Sequence, residues 1–183
     1  MAFILQGTYP IVGANAYVSV ADMRAYHSDR GVDTSAYTDS QVQIAIVKAT
    51  QYLDVRFEYI GSRSTSAQLL EWPRQFAYDD RGDGVYGVPP AVAQATSEYA
   101  LRALSASLMS DPTVPNSTGR SVRKSEEAVG PIVEKYEYEA DRGYEMPNYP
   151  LADRILTSRG LVSSGMSGSA RGGLMVGTLA RGN

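Results

Sequence analysis

The chain of 183 residues contains no cysteine and a single histidine, His27. The missing thiols exclude disulfide scaffolds, zinc–cysteine sites, iron–sulfur clusters and thiol catalysis. One imidazole leaves no pair for a histidine-based metal site, and a Ser-His-Asp triad would depend on His27 alone. No Gly-x-Ser-x-Gly nucleophile accompanies it. We therefore interpret His27 as a helix-surface or interface residue and expect a protein that is not an enzyme and has no metal or cofactor.

The sequence also lacks an excess of basic residues and any long apolar run. Its 17 Lys and Arg against 20 Asp and Glu give a net charge of −3, which argues against a generally basic nucleic-acid binder. No stretch approaches the roughly 20 apolar residues that span a bilayer. Residues 1–9 lack the basic start and apolar core of a signal peptide. We expect the chain to be made in a cytoplasm and to contact no membrane.

The sequence contains clear signals for helices. Ser19 is a good N-cap, and Thr38 with Gln41 fits the capping box ahead of an apolar stripe. Pro89 and Pro90 suit the first turn of a later helix. The predicted helices span residues 20–30, 39–60, 91–109 and 150–159. This pattern predicts a mainly α protein built as a small bundle of three to four helices.

Residues 62–88 break the helical pattern and predict a long loop. Within it, the only tryptophan stands directly before a proline, where helical geometry is disfavoured. We expect Trp72, Pro73 and Arg74 to hold the loop against the bundle, with Arg74 bonding carbonyls or a carboxylate. Residues 82–87 match Gly-x-Gly-x-x-Gly, but an acidic loop precedes them. That context favours a surface loop over a dinucleotide site.

The composition changes after residue 110. Residues 111–145 contain a linker and then alternating residues around a Gly-Pro break, which predict a β-hairpin or extended arm over residues 121–138. Residues 125–145 carry a local charge of −5. Residues 146–183 contain the short helix and a glycine-rich tail, with four arginines against one acid from residue 146 onward. We expect three regions: a helical core (1–110), an acidic arm (111–145) and a flexible C-terminal tail (146–183).

Thirteen tyrosines could supply stacking platforms for single-stranded nucleic acid. That function needs basic residues interleaved with the rings. Tyr136, Tyr138 and Tyr144 lie instead among glutamates. Their surroundings favour contacts with protein.

Several segments together resemble the head–tail connector proteins of tailed bacteriophages, also called adaptor or head-completion proteins. The resemblance covers residues 14–138, and some relatives are described as DnaT-like single-stranded-DNA-binding proteins. It is carried by residues 14–22 (ANAYVSVAD), 70–74 (LEWPR), 88–92 (VPPAV) with Ala95 and Glu98, 122–126 (VRKSE) and 130–133 (GPIV).

The resemblance implies a structural subunit of the virion, synthesised in the bacterial host cytoplasm. Such subunits form a dodecameric ring under the portal protein, extend the channel through which double-stranded DNA passes without sequence recognition, and offer a platform for the tail or neck protein. On this hypothesis the tail docks on the portal and the arm contacts neighbouring subunits or lines the channel. The candidate portal-docking residues are Arg159, Arg171, Leu174, Met175 and Arg181. The candidate arm residues are Glu126, Glu127, Glu134, Tyr136 and Tyr138.

Two alternatives to the connector stay open. A single-stranded-DNA-binding module of the DnaT-like type would show binding that weakens steeply with added salt. A small enzyme would need a convergent set of titratable groups, and the sequence offers none that we can assemble.

Overall fold

The computed structural model describes residues 2–108 and 149–162 in full, and residues 122–129 and 132–138 as backbone. It contains four helices and two small antiparallel sheets, which confirms the prediction of a mainly α fold with a hairpin. In chain order the elements are α1 (Val20–Ser28), α2 (Asp39–Arg56), β1 (Ser62–Arg63), β2 (Arg74–Gln75), α3 (Pro90–Ser105), β3 (Val122–Val129), β4 (Ile132–Tyr138) and α4 (Pro150–Thr157).

The first two helices begin at the predicted caps. Ser19 Oγ accepts the backbone N–H of Asp22 at 3.1 Å, so a donor of the first turn of α1 is satisfied. At the start of α2, Thr38 Oγ1 accepts the N–H of Gln41, and the Gln41 side chain accepts the N–H of Thr38 at 2.9 Å. This reciprocal pair is the capping box that the sequence predicts.

The helices end earlier than predicted. Helices α2 and α3 each end four residues early, at Arg56 and Ser105 in place of residues 60 and 109. The end of α2 has a clear structural cause. The chain leaves the helix because the next residues pair with the segment after α4. The Ile60 N–H donates to the Leu161 carbonyl at 3.1 Å, and Tyr59 forms an antiparallel bridge with Val162. A tertiary pairing therefore overrides the local helical preference.

Helix α3 is the centre of the bundle and packs against α1, α2 and α4. Its small side chains, including the fully buried Ala95 and Ala100, allow the neighbouring helices to approach closely. His27 of α1 is buried, and its Nε2 lies 2.9 Å from the Ser97 carbonyl of α3. Of the two alternatives, a helix-surface or an interface histidine, the surface position was wrong, because the side chain can hydrogen bond a backbone carbonyl of a helix that packs beside it.

The chain divides into two compact units. The described part of the first is the helical bundle with the loop between α2 and α3, and α4 belongs to it. The second contains β3 and β4, which pair antiparallel with Val122 opposite Tyr138 and Glu126 opposite Glu134, with irregular register between these pairs. Among the described residues no helix is long and apolar enough to cross a membrane, and no group of acidic or histidine side chains could hold a metal ion.

Candidate functional site

The loop over residues 62–88 is fixed to the bundle by the residues that the sequence singled out. Trp72 is fully buried, and its ring meets that of Tyr59 edge-on at a centroid separation of 5.7 Å. Pro73 is buried beside it, and the peptide bond that joins the two is cis. The aromatic core therefore holds the middle of the loop.

Arg74 holds the same loop through its guanidinium. Nε donates to the Ile60 carbonyl at 2.7 Å, and Nη2 donates to the carbonyls of Gly61 at 2.8 Å and Tyr59 at 3.2 Å. Nη1 donates to the Glu71 carboxylate. Because these bonds occupy the donors on both sides of the planar group, Arg74 connects the end of α2 to the loop and has little capacity left for a ligand.

A half-buried carboxyl lies beside the anchor that Trp72, Pro73 and Arg74 form. Asp54 of α2 accepts the Tyr17 hydroxyl at 2.7 Å and the Glu71 N–H at 3.2 Å. The Tyr17 oxygen in turn accepts the Trp72 N–H at 3.1 Å. Burial raises the pKa of Asp54 to about 7, although these hydrogen bonds favour the ionised form. The anchor thus contains a group that titrates near neutrality.

Three aromatic side chains of the same loop lie outside the core. Phe76, Tyr78 and Tyr86 are 76%, 58% and 85% exposed and share one surface recess of about 260 Å³ with Gly84. Tyr86 lies over Gly84, where an added Cβ would be 3.1 Å from the tyrosine hydroxyl. We call Phe76, Tyr78 and Tyr86 the aromatic face.

The backbone of the loop explains why these rings point outward. The Val85 N–H donates to the Ala77 carbonyl at 2.9 Å, and Tyr78 bridges Gly84 antiparallel, so the segment forms a narrow ribbon. Ala77 is buried, and its two neighbours are exposed. Phe76 has a φ of +55°, a conformation that costs a non-glycine residue about 1–2 kcal/mol. An exposed aromatic ring held in a strained backbone conformation indicates a functional role.

The charges around the aromatic face are mixed. Arg63 and Arg81 are exposed cations on the same loop. Three aspartates lie on the turn that follows Tyr78, and one of them, Asp79, accepts the backbone N–H groups of Arg81 and Asp83 at 2.9 and 3.0 Å. The aspartates therefore shape the turn while opposing any anionic ligand. This surface favours ring contacts over strong electrostatic attraction.

The residues that the connector hypothesis assigned to docking are only partly described. Arg159 is exposed in the turn after α4. Glu126 and Glu127 lie on β3, and Glu134, Tyr136 and Tyr138 lie on β4, where the backbone alone is described. Four further candidates are outside the described residues: Arg171, Leu174, Met175 and Arg181. Their assignments to portal or neighbouring subunits stay predictions.

Sequence reasoning missed the aromatic face and the half-buried Asp54. The alternation of Phe76, Ala77 and Tyr78 after the Trp-Pro-Arg motif was the available signal for an exposed strand-like face. Asp54 offered no comparable signal. It sits in α2 one position after the buried Leu53, and only the folded chain shows that Tyr17 and the loop cover it.

A second aromatic group joins α2, α3 and the start of α4. The rings of Tyr52, Tyr99 and Tyr149 have centroid separations of 4.9, 5.4 and 6.2 Å. Beside them, Arg56 donates to the Asp153 carboxylate at 2.8 Å, and the Tyr99 hydroxyl donates to the same carboxylate. Burial and this hydrogen bond raise the pKa of Tyr99. We call Tyr52, Tyr99 and Tyr149 the buried aromatic cluster, in which Tyr52 and Tyr99 are buried and Tyr149 is half-buried.

Comparison with known protein families matches nearly the whole chain. A family model described as "Putative DnaT-like ssDNA binding protein" matches residues 1–180. No curated protein and no solved structure matches the chain. The match spans the helical core, the hairpin and most of the C-terminal region, so it concerns the whole chain.

Proposed function

Because the chain belongs to the family of DnaT-like single-stranded-DNA-binding proteins, we propose that it binds single-stranded DNA and that the aromatic face is the contact surface. The observation that carries the assignment to this face is the joint exposure of Phe76, Tyr78 and Tyr86 around one recess. The family result gives no support to a portal or tail partner, and it favours DNA binding over the connector hypothesis.

Aromatic side chains can stack on the bases of a single strand because the π-face of each base is accessible. In a duplex these faces are covered by neighbouring base pairs. Stacking on an aromatic side chain contributes about 1–3 kcal/mol per base and tolerates any sequence. Phe76, Tyr78 and Tyr86 could therefore hold two or three bases without reading their identity. We expect little binding to a blunt duplex of the same length.

The charge distribution determines the salt dependence that we expect. A single strand loses affinity with a log–log slope of about 0.7 for each phosphate that the protein neutralises. If Arg63 and Arg81 each contact one phosphate, the aromatic face would give a slope of about −1.4. The three aspartates on the adjoining turn would reduce it further. A shallow slope would indicate a complex held mainly by stacking, in contrast with the steep dependence expected from the sequence.

The direct test is fluorescence anisotropy with labelled oligothymidine at low salt. The triple variant Phe76→Ala, Tyr78→Ala, Tyr86→Ala should bind at least about 30-fold more weakly, since two stacking contacts would account for that loss. The matched control replaces three exposed apolar residues elsewhere, Ile44→Ala, Val55→Ala and Leu151→Ala, and should bind as the unaltered protein does. Absence of binding by the unaltered chain would refute the function, and equal binding by both variants would refute the site.

The connector function is the second candidate. It is favoured by the architecture, a helical bundle accompanied by an antiparallel β3–β4 pair in a separate unit, because the resemblance implies a bundle with an arm. In this proposal the chain catalyses nothing and joins the virion as a ring between portal and neck. Deletion of residues 163–183, which keeps the pairing of residues 161 and 162 with the end of α2, should then prevent incorporation into capsids. Unchanged incorporation would contradict a docking role for that segment.

A further inference from the structure

The turn over residues 7–13 presents an aromatic ring that the fold does not use. Tyr9 is 81% exposed. The turn is nevertheless well braced, because the buried Gln6 side chain donates from Nε2 to the Tyr9 carbonyl at 2.6 Å and to the Gly7 carbonyl at 3.2 Å. Its Oε1 accepts the Ile11 N–H at 3.4 Å. The backbone that carries Tyr9 is thus fixed while its ring is free of the core.

This turn lies against the end of the ribbon that carries Tyr86. Gly87 packs directly on Thr8, where an added Cβ would be 3.2 Å from the Thr8 Cα atom. With 3.8 Å between consecutive Cα atoms, the Cα atoms of Tyr9 and Tyr86 are at most about 12 Å apart. That span is small beside single-strand sites of about 4–16 nucleotides. One strand could therefore reach both rings.

The two segments also share an absence of charge. Residues 2–21 contain no charged side chain, and neither do residues 84–97. The aspartates that would oppose phosphate belong to the turn at the other end of the ribbon. A strand that passes from Tyr78 over Tyr86 toward Tyr9 would therefore leave the acidic turn behind it.

We propose that Tyr9 is a further stacking position, which extends the aromatic face across the Thr8–Gly87 contact. The ligand is single-stranded DNA, so the inference rests on the proposed function. We infer DNA as the ligand because the turn is continuous with the aromatic face through a close contact at Gly87, where an added Cβ would crowd the Thr8 Cα atom at 3.2 Å.

The experiment compares Tyr9→Ala with Tyr9→Phe on oligothymidines of increasing length. Because Tyr9 is the outermost ring, Tyr9→Ala should bind the longer oligonucleotides about 5- to 30-fold more weakly, while its affinity for the shortest one that binds stays unchanged. Tyr9→Phe keeps the ring and should bind all lengths within about twofold of the unaltered protein.

Photo-crosslinking gives a second readout that does not depend on affinity. An oligonucleotide that carries a halogenated uracil should crosslink to Tyr9 in the tryptic peptide that ends at Arg24, and to Tyr86 in the peptide that ends at Arg102. The buried Tyr17 and Tyr99 of these same peptides serve as internal controls and should stay unmodified.

The possible failures are distinguishable. If the unaltered chain binds no DNA, the proposed function and the inference both fall. The variants of Phe76, Tyr78 and Tyr86 could weaken binding while Tyr9→Ala leaves the affinity for every oligothymidine length unchanged and Tyr9 forms no crosslink. That result would overturn only the inference about Tyr9. A Tyr9→Ala variant that keeps its DNA affinity but changes the sedimentation mass would overturn it in favour of a self-association surface.

Discussion

The bundle contains one group of three neighbouring tyrosines and the loop contains one group of three exposed aromatic side chains, and the two groups differ in almost every other respect. Tyr52, Tyr99 and Tyr149 meet ring to ring between helices. Phe76, Tyr78 and Tyr86 stand around an open recess, and no ring contact joins them within the described part of the chain. The same chemistry therefore stabilises the fold in one place and stays available to a ligand in the other.

The surroundings of the two groups explain this difference. The buried aromatic cluster has a polar partner, because Asp153 accepts both the Tyr99 hydroxyl and the Arg56 guanidinium. A buried hydroxyl needs such an acceptor. The aromatic face instead depends on backbone geometry: an anchor at Trp72 and Arg74 holds its ribbon, and a positive φ at Phe76 helps to direct its rings outward. Changes in the first group should affect stability, and changes in the second should affect binding.

The largest stability effect is expected at Asp153. Its replacement by alanine removes the acceptor that the Arg56 guanidinium and the Tyr99 hydroxyl share. The side chains of Arg56 and Asp153 are 13% and 18% exposed, and Arg56 keeps its bond to the Tyr52 hydroxyl at 3.0 Å. Removing one partner of a buried ion pair costs about 3–5 kcal/mol, and because this pair is partly exposed the loss should be near the lower value. Urea unfolding of Asp153→Ala should show this loss.

The neighbouring Arg154 provides the control, since it is exposed on the same helix. Arg154→Ala should change the free energy of unfolding by less than about 0.5 kcal/mol. DNA affinity of folded Asp153→Ala should equal that of the unaltered protein. If Asp153→Ala lowered the free energy of unfolding by less than about 1 kcal/mol, or if the folded variant lost DNA binding, the two aromatic groups would not have separate roles in stability and binding.

The sequence was sufficient for the parts of this comparison that depend on local rules. The caps at Ser19 and Thr38 and the break at the Trp-Pro pair are local properties, and they located the helices and the long loop. The end of α2 depends on a pairing with residues 161–162, about 100 positions away. The partners of Asp54 and the exposure of the aromatic face likewise depend on tertiary contacts, which spacing along the chain does not encode.

The second prediction concerns pH and tests the anchor that positions the aromatic face. Burial raises the pKa of Asp54 from 3.8 to about 7, so between these values the folded protein holds a proton that the unfolded chain has lost. Stability from this group is therefore complete below about pH 4 and decreases as the pH rises to 7. Each pKa unit corresponds to 1.36 kcal/mol, so the decrease is at most about 4 kcal/mol.

The pH dependence should be measured as the free energy of unfolding from pH 4 to pH 8. Asp54→Asn has no titrating group at this position and should flatten the profile between pH 4 and 7. The exposed Asp83→Asn should keep the profile of the unaltered protein. Identical slopes in the two variants would show that Asp54 is not the group responsible.

At Gly61, a single substitution should affect both stability and DNA binding. Gly61 has a φ of +70°, and an added Cβ would lie 2.4 Å from the Gln75 carbonyl oxygen and 3.0 Å from the carbonyl carbon of Phe76. Gly61→Ala should therefore displace the start of the ribbon, cost about 2–3 kcal/mol and weaken DNA binding as well.

Gly31 is the matched control for this substitution. Its φ is +72°, and an added Cβ would meet nothing within 4 Å. Gly31→Ala isolates the backbone strain, about 1–2 kcal/mol, without a clash, and it should leave DNA affinity unchanged. If Gly61→Ala and Gly31→Ala affected DNA affinity equally, the anchor would not be what positions the aromatic face.

The smallest stability change is expected for Phe76→Asn. Its sign shows whether the phenylalanine is strained at this position. Asparagine adopts positive φ more readily than phenylalanine, and the Phe76 ring is 76% exposed, so it contributes little burial. Phe76→Asn should leave the free energy of unfolding unchanged or raise it by up to about 1 kcal/mol, because it relieves strain.

Binding should move in the opposite direction. The substitution removes one stacking surface, and oligothymidine affinity should fall by about 5- to 30-fold. Tyr78→Asn, at a residue with no positive φ, should lose affinity without gaining stability. A variant that is more stable and binds less well means that the chain maintains strain at Phe76 for its ligand. If Phe76→Asn is instead destabilised by more than about 1 kcal/mol, the ring contributes to the fold, and the contrast with the buried aromatic cluster is weaker than the exposed fractions suggest.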